Sequence, residues 1–422
     1  METGVGLLSI VTCRVINGSV TVYNSNGGIF PKVSVNEKLR SIQYTDVCQE
    51  MVSDCSMRSA ARKIERVTHS ICNPRTLDDW MEREGFSIKE QIHKQSSDIL
   101  KEHGFEPKTG SLLEGTQLSA ELTKPEIKTI PRDEVVEAIR KYNENKPEDE
   151  KIIDEWAEHS YVSALEGVNV SIDDIGVVEQ KSSGREKGAP PKEHKKRVEN
   201  TVVHIQNNMG FYVLTGLGML SVVATTLAFL LENKLLKNQA ITFFVDGALN
   251  IKNSIHTVFG WRPFEIVLDW YHLSKKCAER LSLIMKGSKL RNETYTSLSK
   301  VLWRGNVDAA INFLKNIPAD KIKAGGEKEI ENLVNYIQKN RNFIPCYALR
   351  KELNLRNSSN YVEKFNDLVV AIRQKNKGMS WSRSGSTALA NICAMLLNDE
   401  THAWNYNSEL RFSLNYRIPV VA

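Results

Sequence analysis

Val168-Asn-Val-Ser-Ile-Asp173 and Ile241-Thr-Phe-Phe-Val-Asp246-Gly247 are the two stretches that decide the fold class. Each is a short run of β-branched or aromatic residues that ends on an acid, as a buried strand does where it reaches the open edge of a sheet. Around them, 168–178, 201–206, 211–215 and 264–268 also read as strands, and 220–231 and 248–258 read as helices. Three early strands followed by alternating helix and strand predict an α/β chain, a mixed sheet flanked by helices. Alternation sets Asp173 on the face opposite Val168, Val170 and Ile172, whereas Asp174 shares theirs, so either acid could face a site.

A third acid, Glu363, lies in Asn360-Tyr-Val-Glu-Lys-Phe-Asn-Asp-Leu-Val-Val370, which has helical spacing. Two carboxylates at strand ends and a third from a distant helix can hold two Mg²⁺ ions about 4 Å apart, the arrangement that cuts and rejoins phosphodiesters. Magnesium (or Mn²⁺) prefers oxygen ligands and keeps several waters, so one or two carboxylates per ion suffice. Each acid also has a plainer reading. Asp246-Gly247 can be a turn, and Glu363, three residues after Asn360, can be half of a capping box. Asp367, one turn later, could replace Glu363.

At 422 residues with a quarter of them charged, the chain is long enough for two or three domains with hydrophobic cores. The net charge of +5 is mild, but Lys181 to Arg197 holds seven Lys or Arg against Glu186 and Glu193. Lys187, Lys195, Lys196 and Arg197 in that stretch can hold phosphates. The seven cysteines are odd in number, irregular in spacing and without a Cys-x-x-Cys pair, which argues for reduced thiols rather than disulfides or a zinc site. No basic n-region opens the sequence, so no secretory signal is expected and a cytoplasmic, nucleoid-associated place is. The uncharged stretch Gly210 to Leu231 is long enough to cross a bilayer. Its front half is strand-like and three glycines interrupt it, so a strand followed by a buried helix, with no membrane, is expected.

Residues 1–45 alternate weakly between Asn-Gly and Gly-Gly turns and predict short strands. Residues 46–122 turn helical. Ser56 caps a helix to Val67, and Thr76 is the expected cap of a second, Thr76 to Glu84, ended by Gly85. With Arg62, Arg66 and Arg75 on them, the two short helices resemble a helix-turn-helix that binds DNA; a helical hairpin with a solvated basic face is the alternative. Residues 123–165, rich in Pro, Glu and Lys, read as a linker or helical connection. The core then divides into 166–271, an almost wholly helical 272–356, and 357–422.

The order of these elements and acids resembles the RNase H-like core of bacterial insertion-sequence DDE transposases, in particular the Mutator-like group. The resemblance rests on Val-Ser-Ile-Asp173-Asp174-Ile-Gly176-Val, Phe-Phe-Val-Asp246-Gly247-Ala, Val-Leu-Asp269-Trp-Tyr-His272-Leu, and Val-Glu363-Lys-Phe-Asn366 leading to Gly-Met-Ser-Trp381-Ser. It spans a little over half of the chain. It implies an RNase H-like mixed sheet with a large all-helical insertion at 272–356, beside a mainly helical N-terminal DNA-binding region. It also implies a catalytic triad of Asp173, Asp246 and Glu363 with His272 beside it, Asp174 and Asp269 as further candidate ligands, and two ions of Mg²⁺ or Mn²⁺. The partners implied are the terminal inverted repeats of an element, target DNA, and a second copy or more of the chain. A DNA-binding descendant without catalysis and another RNase H-like nuclease are the alternatives. Asp269 and His272 can equally be a strand-end pair that stabilises the helix after them.

Overall fold

The computed structural model describes residues 2–3, 6–7, 42–163, 165–180, 196–375 and 379–416. Most of the strands expected in 1–45, together with Lys187 and Lys195, lie outside those residues. Two short strands, β1 (Glu2–Thr3) and β2 (Gly6–Leu7), pair antiparallel. Five helices follow: α1 (Ile42–Asp54), α2 (Met57–Thr68), α3 (Pro74–Glu102), α4 (Ala120–Thr123) and α5 (Arg132–Asn143). The sheet and its first helices come next as β3 (Gly167–Val178), β4 (Arg197–Gln206), β5 (Phe211–Gly216), α6 (Met219–Glu232), β6 (Ala240–Val245), α7 (Leu249–Phe259) and β7 (Glu265–Leu268). Then α8 (Trp270–Ile284), α9 (Ser288–Trp303), α10 (Val307–Lys315), α11 (Gly326–Lys339) and α12 (Tyr347–Glu352) form a helical unit. The chain returns through α13 (Asn360–Asn366), a π-helical turn (Asp367–Ala371), α14 (Ile372–Gln374), α15 (Arg383–Leu397) and α16 (Thr401–Asn407).

The strands form one five-stranded mixed sheet in the order β5-β4-β3-β6-β7. β3 pairs antiparallel with β4 and parallel with β6, which pairs parallel with β7. Alternation along β3 splits its side chains between two cores. Val168, Val170 and Ile172 pack with Ile241, Phe243 and Val245 under α6 and α7. Ile175 and Val177 turn to the other face and pack with Val362, Phe365, Val369 and Ala390 from α13, the π-turn and α15. On that same face Phe244 and Val267 reach the core of α8 to α11. Helix α6 is apolar nearly all round and lies buried, which accounts for its uncharged sequence. No described helix is long and apolar enough to cross a membrane.

The strand expected over 168–178 is β3, held along its length by β4 from Asn169 to Val178. Two local expectations give way. The cap of α3 is Asn73, not Thr76: its Oδ1 accepts the amide of Arg75 at 2.9 Å, and Pro74 sits at the first helical position, where its missing N–H costs nothing. Nor does α3 end at Gly85; it continues through to Glu102, so the pair α2–α3 is not two short helices.

The reason lies in packing. Helices α1 to α3 have no core of their own: Tyr44, Val52, Ile64, Trp80 and Ile88 bury against Leu389, Ile392, Trp404 and Leu410 from the far end of the chain. A Cβ built on Gly85 would lie 2.1 Å from the carbonyl oxygen of Ala388 in α15, so the helices cross at backbone contact there. An alanine in a free helix is about 1 kcal/mol better than glycine. Overlap at this crossing must part the two helices, at a cost of about 1–3 kcal/mol or more, and the second effect wins. Gly85→Ala is therefore expected to lower the midpoint of chemical unfolding, and a raised midpoint would mean that the crossing is looser than described.

Candidate metal centre

The register of β3 on β6 brings the first two acids level. Ser171 pairs with Phe244, and Asp173 and Asp246 each follow two residues later on adjacent parallel strands. Both side chains then fall on the face that α8 and α13 cover. Asp173 Oδ1 accepts its neighbour's amide at 2.9 Å, and Oδ2 accepts the Asn366 Nδ2 at 2.6 Å. Asp246 Oδ1 accepts the Ala248 amide at 2.7 Å, which makes the Asp-Gly pair a true turn, with Gly247 at a φ of 89°. A side chain at Gly247 would also meet Asn340 Oδ1 at 3.1 Å and Tyr336 Oη at 3.2 Å.

The third acid is delivered by a buried joint. Asp269 directly follows β7, is fully buried, and uses both oxygens on backbone amides: Oδ1 accepts from His272 at 2.9 Å, and Oδ2 accepts from Ser359. The first bond caps α8 and the second fixes the residue before α13. Trp270 adds a bond from its amide to the Asn357 carbonyl at 3.1 Å. His272 in the first turn of α8 and Glu363 in the first turn of α13 are thereby set side by side, Nε2 to Oε1 at 3.1 Å. That contact is an ion pair off the line of a regular hydrogen bond. From the other side, Phe365 stacks on the buried His204 ring at 4.5 Å and holds α13 on the sheet.

Asp173, His272 and Glu363 each offer a ligand atom within 4.8 Å of the others. Asp246 lies outside this close group, beside it, and is one of the charges that act on Asp173. Burial, with Asp246 and Glu363 nearby, pushes the Asp173 carboxyl up to about 6 in spite of His272. Burial also works against the charged form of His272, but Glu363, Asp269 and Asp173 outweigh it and raise the imidazole above its ordinary range. The contact with His272, helped by Lys275 and Lys375, holds Glu363 below the usual range.

The remaining candidates fall elsewhere. Asp174 points to the opposite face, where Oδ1 accepts the Thr201 hydroxyl at 2.6 Å and Oδ2 the Asn250 amide at 3.5 Å. Burial raises its carboxyl too. Asp269 is near the centre, but its oxygens are taken by the two helix starts. Asp367 is exposed in the π-turn. Lys196 and Arg197 are exposed at the start of β4, and Arg62, Arg66 and Arg75 on the outer surface of α2 and α3. Asn366 was given no role by sequence reasoning, although it lies three residues after Glu363 and so on the same helix face. No protein-family model matches the chain, and no curated protein matches it.

Two substitutions test this geometry without any ligand. Asp269→Asn replaces one acceptor with a donor opposite a buried amide, so it should cost about 1–3 kcal/mol of stability; an unchanged unfolding free energy would remove the joint. Asp173→Asn should do the reverse. A carboxyl whose folded pKa is raised contributes stability below its unfolded value of 3.8, and that contribution is lost as pH rises through about 6. The Asn366 amide can turn over, since its buried Oδ1 has no partner among the described residues and would then accept from the new Nδ2. At pH 7.5 the variant is therefore expected to be more stable than the parent by about 1–3 kcal/mol, with the gap narrowing as pH falls from about 6 to 3.8. A gap independent of pH would contradict the charge explanation.

Proposed function

We propose that this chain is a metal-dependent DNA strand-transferase of the DDE transposase type, with an RNase H-like core and with α8 to α12 as its helical insertion. The observation that carries the reading is the convergence on Asp173. Asp246 stands level with it on the neighbouring parallel strand, and Glu363 is brought to it from beyond the helical unit. Sheet order supports it as well. In that family the first acid belongs to the first strand of the sheet and the second to the fourth, which here are β3 and β6.

The donor set fits a hard divalent cation. Carboxylate oxygens of Asp173, Glu363 and Asp246 suit Mg²⁺ or Mn²⁺, and the imidazole of His272 favours the softer Mn²⁺ of the two. A cation would also favour the ionised form of Asp173, whose carboxyl is driven up by burial first and by Asp246 and Glu363 second. Bound there, the metal would supply activation of a water or a DNA 3′-hydroxyl and stabilisation of the leaving oxygen. Asn366 holds Asp173 Oδ2 in place, and Asp269 holds the two helix starts, so the acids are oriented before anything binds. In its protonated form, which its acidic neighbours favour, His272 would instead donate to a phosphate oxygen. The DNA would be the ends of an element and a target, bound by two or more copies of the chain.

The test uses a supercoiled plasmid that carries the DNA flanking the reading frame. Strand cleavage in Mg²⁺ or Mn²⁺ is expected from the parent chain and should fall by at least about a hundredfold in Asp246→Asn and in Glu363→Gln, with little further loss in the double variant. Cleavage that survives both substitutions would sink the triad, and a parent chain inert in either metal would favour a DNA-binding descendant. Proton and metal compete for Asp173, so the rise in melting temperature that Mn²⁺ gives should be larger at pH 7.5 than at pH 5.

A further inference from the structure

The outer end of the helical unit carries a charged surface that the acid centre does not use. A short antiparallel bridge, Met285 to Ile322, ties the turn after α8 to the turn before α11. Lys286 donates its amide to the Lys321 carbonyl at 2.9 Å, and Lys323 donates to Ile284 at 2.8 Å. The bridge therefore sets Lys286 and Lys289 beside Lys321 and Lys323, all four exposed. Behind them Leu281, Ile284, Met285 and Ile322 are buried in the core of the unit, so the lysines stand on a packed support.

The charges are not answered within the chain. Among the described residues none of the four ammonium groups pairs with a carboxylate, while Arg280, one turn before them, does pair with Glu329. Lys286 Nζ rests on the Asp320 carbonyl at 2.9 Å and Lys323 Nζ on the Ser282 carbonyl at 2.7 Å. The acids of these turns, Asp320 and Glu327, are outnumbered. Two helices also begin here, and both begin on a glycine with no side-chain cap: Gly287 before α9 and Gly325 before α11. Their free amides and positive dipole ends add to the same sign.

We infer that this end of the helical unit, Lys286, Lys289, Lys321 and Lys323 on the bridged turns, is a docking surface for the phosphate backbone of duplex DNA. Four point charges spread over two neighbouring segments match a polyanion with regular charge spacing better than a single small anion. The four lysines carry no planar fork, and Arg291 beside them turns its guanidinium onto Asn292 Oδ1 at 2.9 Å, so the contacts would be to phosphates rather than to base edges. The surface is distinct from the basic face of α2 and from the acid centre, and it would act on DNA whether or not the chain cleaves it.

The test is a titration of the intact chain with a short random-sequence duplex between about 50 and 200 mM KCl. Replacing all four lysines by Glu should flatten the dependence of log K on log salt by about 0.9 for each phosphate no longer neutralised, so by about 2–4, and should weaken binding at least tenfold at the lower salt. Replacing all four by Gln removes the charge but keeps a polar side chain with hydrogen-bond donors, and should flatten the slope by a similar amount, which separates the role of charge from a damaged fold. Slope and affinity unchanged in the Gln variant would overturn the inference, as would a parent chain that does not bind the duplex. Anionic vesicles or single-stranded RNA bound as tightly by the parent, and released equally by the variants, would overturn the assignment to duplex DNA. Mn²⁺ binding at the acid centre should persist in both variants, whereas Asp246→Asn should leave the salt slope alone. Failure here and failure of the cleavage reading are thus told apart.

Discussion

The carboxylate of Asp269 is the constraint on which the site depends. A fully buried acid with both oxygens on backbone amides is a junction rather than a ligand, and it joins β7, α8 and α13 at one point. Its two acceptances answer two orphan amides that the helix starts would otherwise bury unpaired. Because those helices carry His272 and Glu363 in their first turns, satisfying the backbone also sets the spacing of the side chains. The geometry of the centre thus follows from hydrogen-bond accounting before any attraction between charges is invoked.

Charge then works against the arrangement. Asp173, Asp246 and Glu363 crowd one side of the sheet edge, and His272 answers part of that charge. Burial first, and that crowding second, push the Asp173 carboxyl toward neutrality, while the carboxylates push the imidazole toward its cation; both shifts lessen the net negative charge. A protein that needed only stability would place neutral residues here, since unpaired buried charge is expensive.

Much of this was legible in the residues. Alternation along Val168 to Ile172 separated Asp173 from Asp174 by face, and the structure sends them to opposite sides because β3 keeps its pleat through both. The strands and helices from 167 to 284 lie within a few residues of where periodicity sets them. What failed was tertiary. Gly85 reads as a stop, yet α3 passes through it because the missing side chain lets α15 approach, a contact with no local signature. The role of Asp269 was open for the same reason: its cap on α8 is local and readable, but its bond to Ser359 joins residues far apart in the chain. Asn366 was missed because an amide three residues from an acid is common, and only the fold shows that it reaches Asp173.

The N-terminal helices belong to this same set of dependencies. Arg373, buried in the short helix after the π-turn, donates from Nε to the Val52 carbonyl of α1 at 2.7 Å and lies over the Trp381 ring at 5.2 Å. Trp381 in turn donates its amide to the Val178 carbonyl at the end of β3. The segment that carries Glu363 is therefore held at its start by Asp269, along its length by Phe365 on His204, and past its end by a contact with α1. Removing α1 to α3 would strip the cover from Leu389, Ile392 and Trp404 and leave the Arg373 guanidinium buried without its acceptor. Helices α1 to α3 are thus part of what holds the third acid in place, and a division of the chain between them and the acid centre would cut through a shared core.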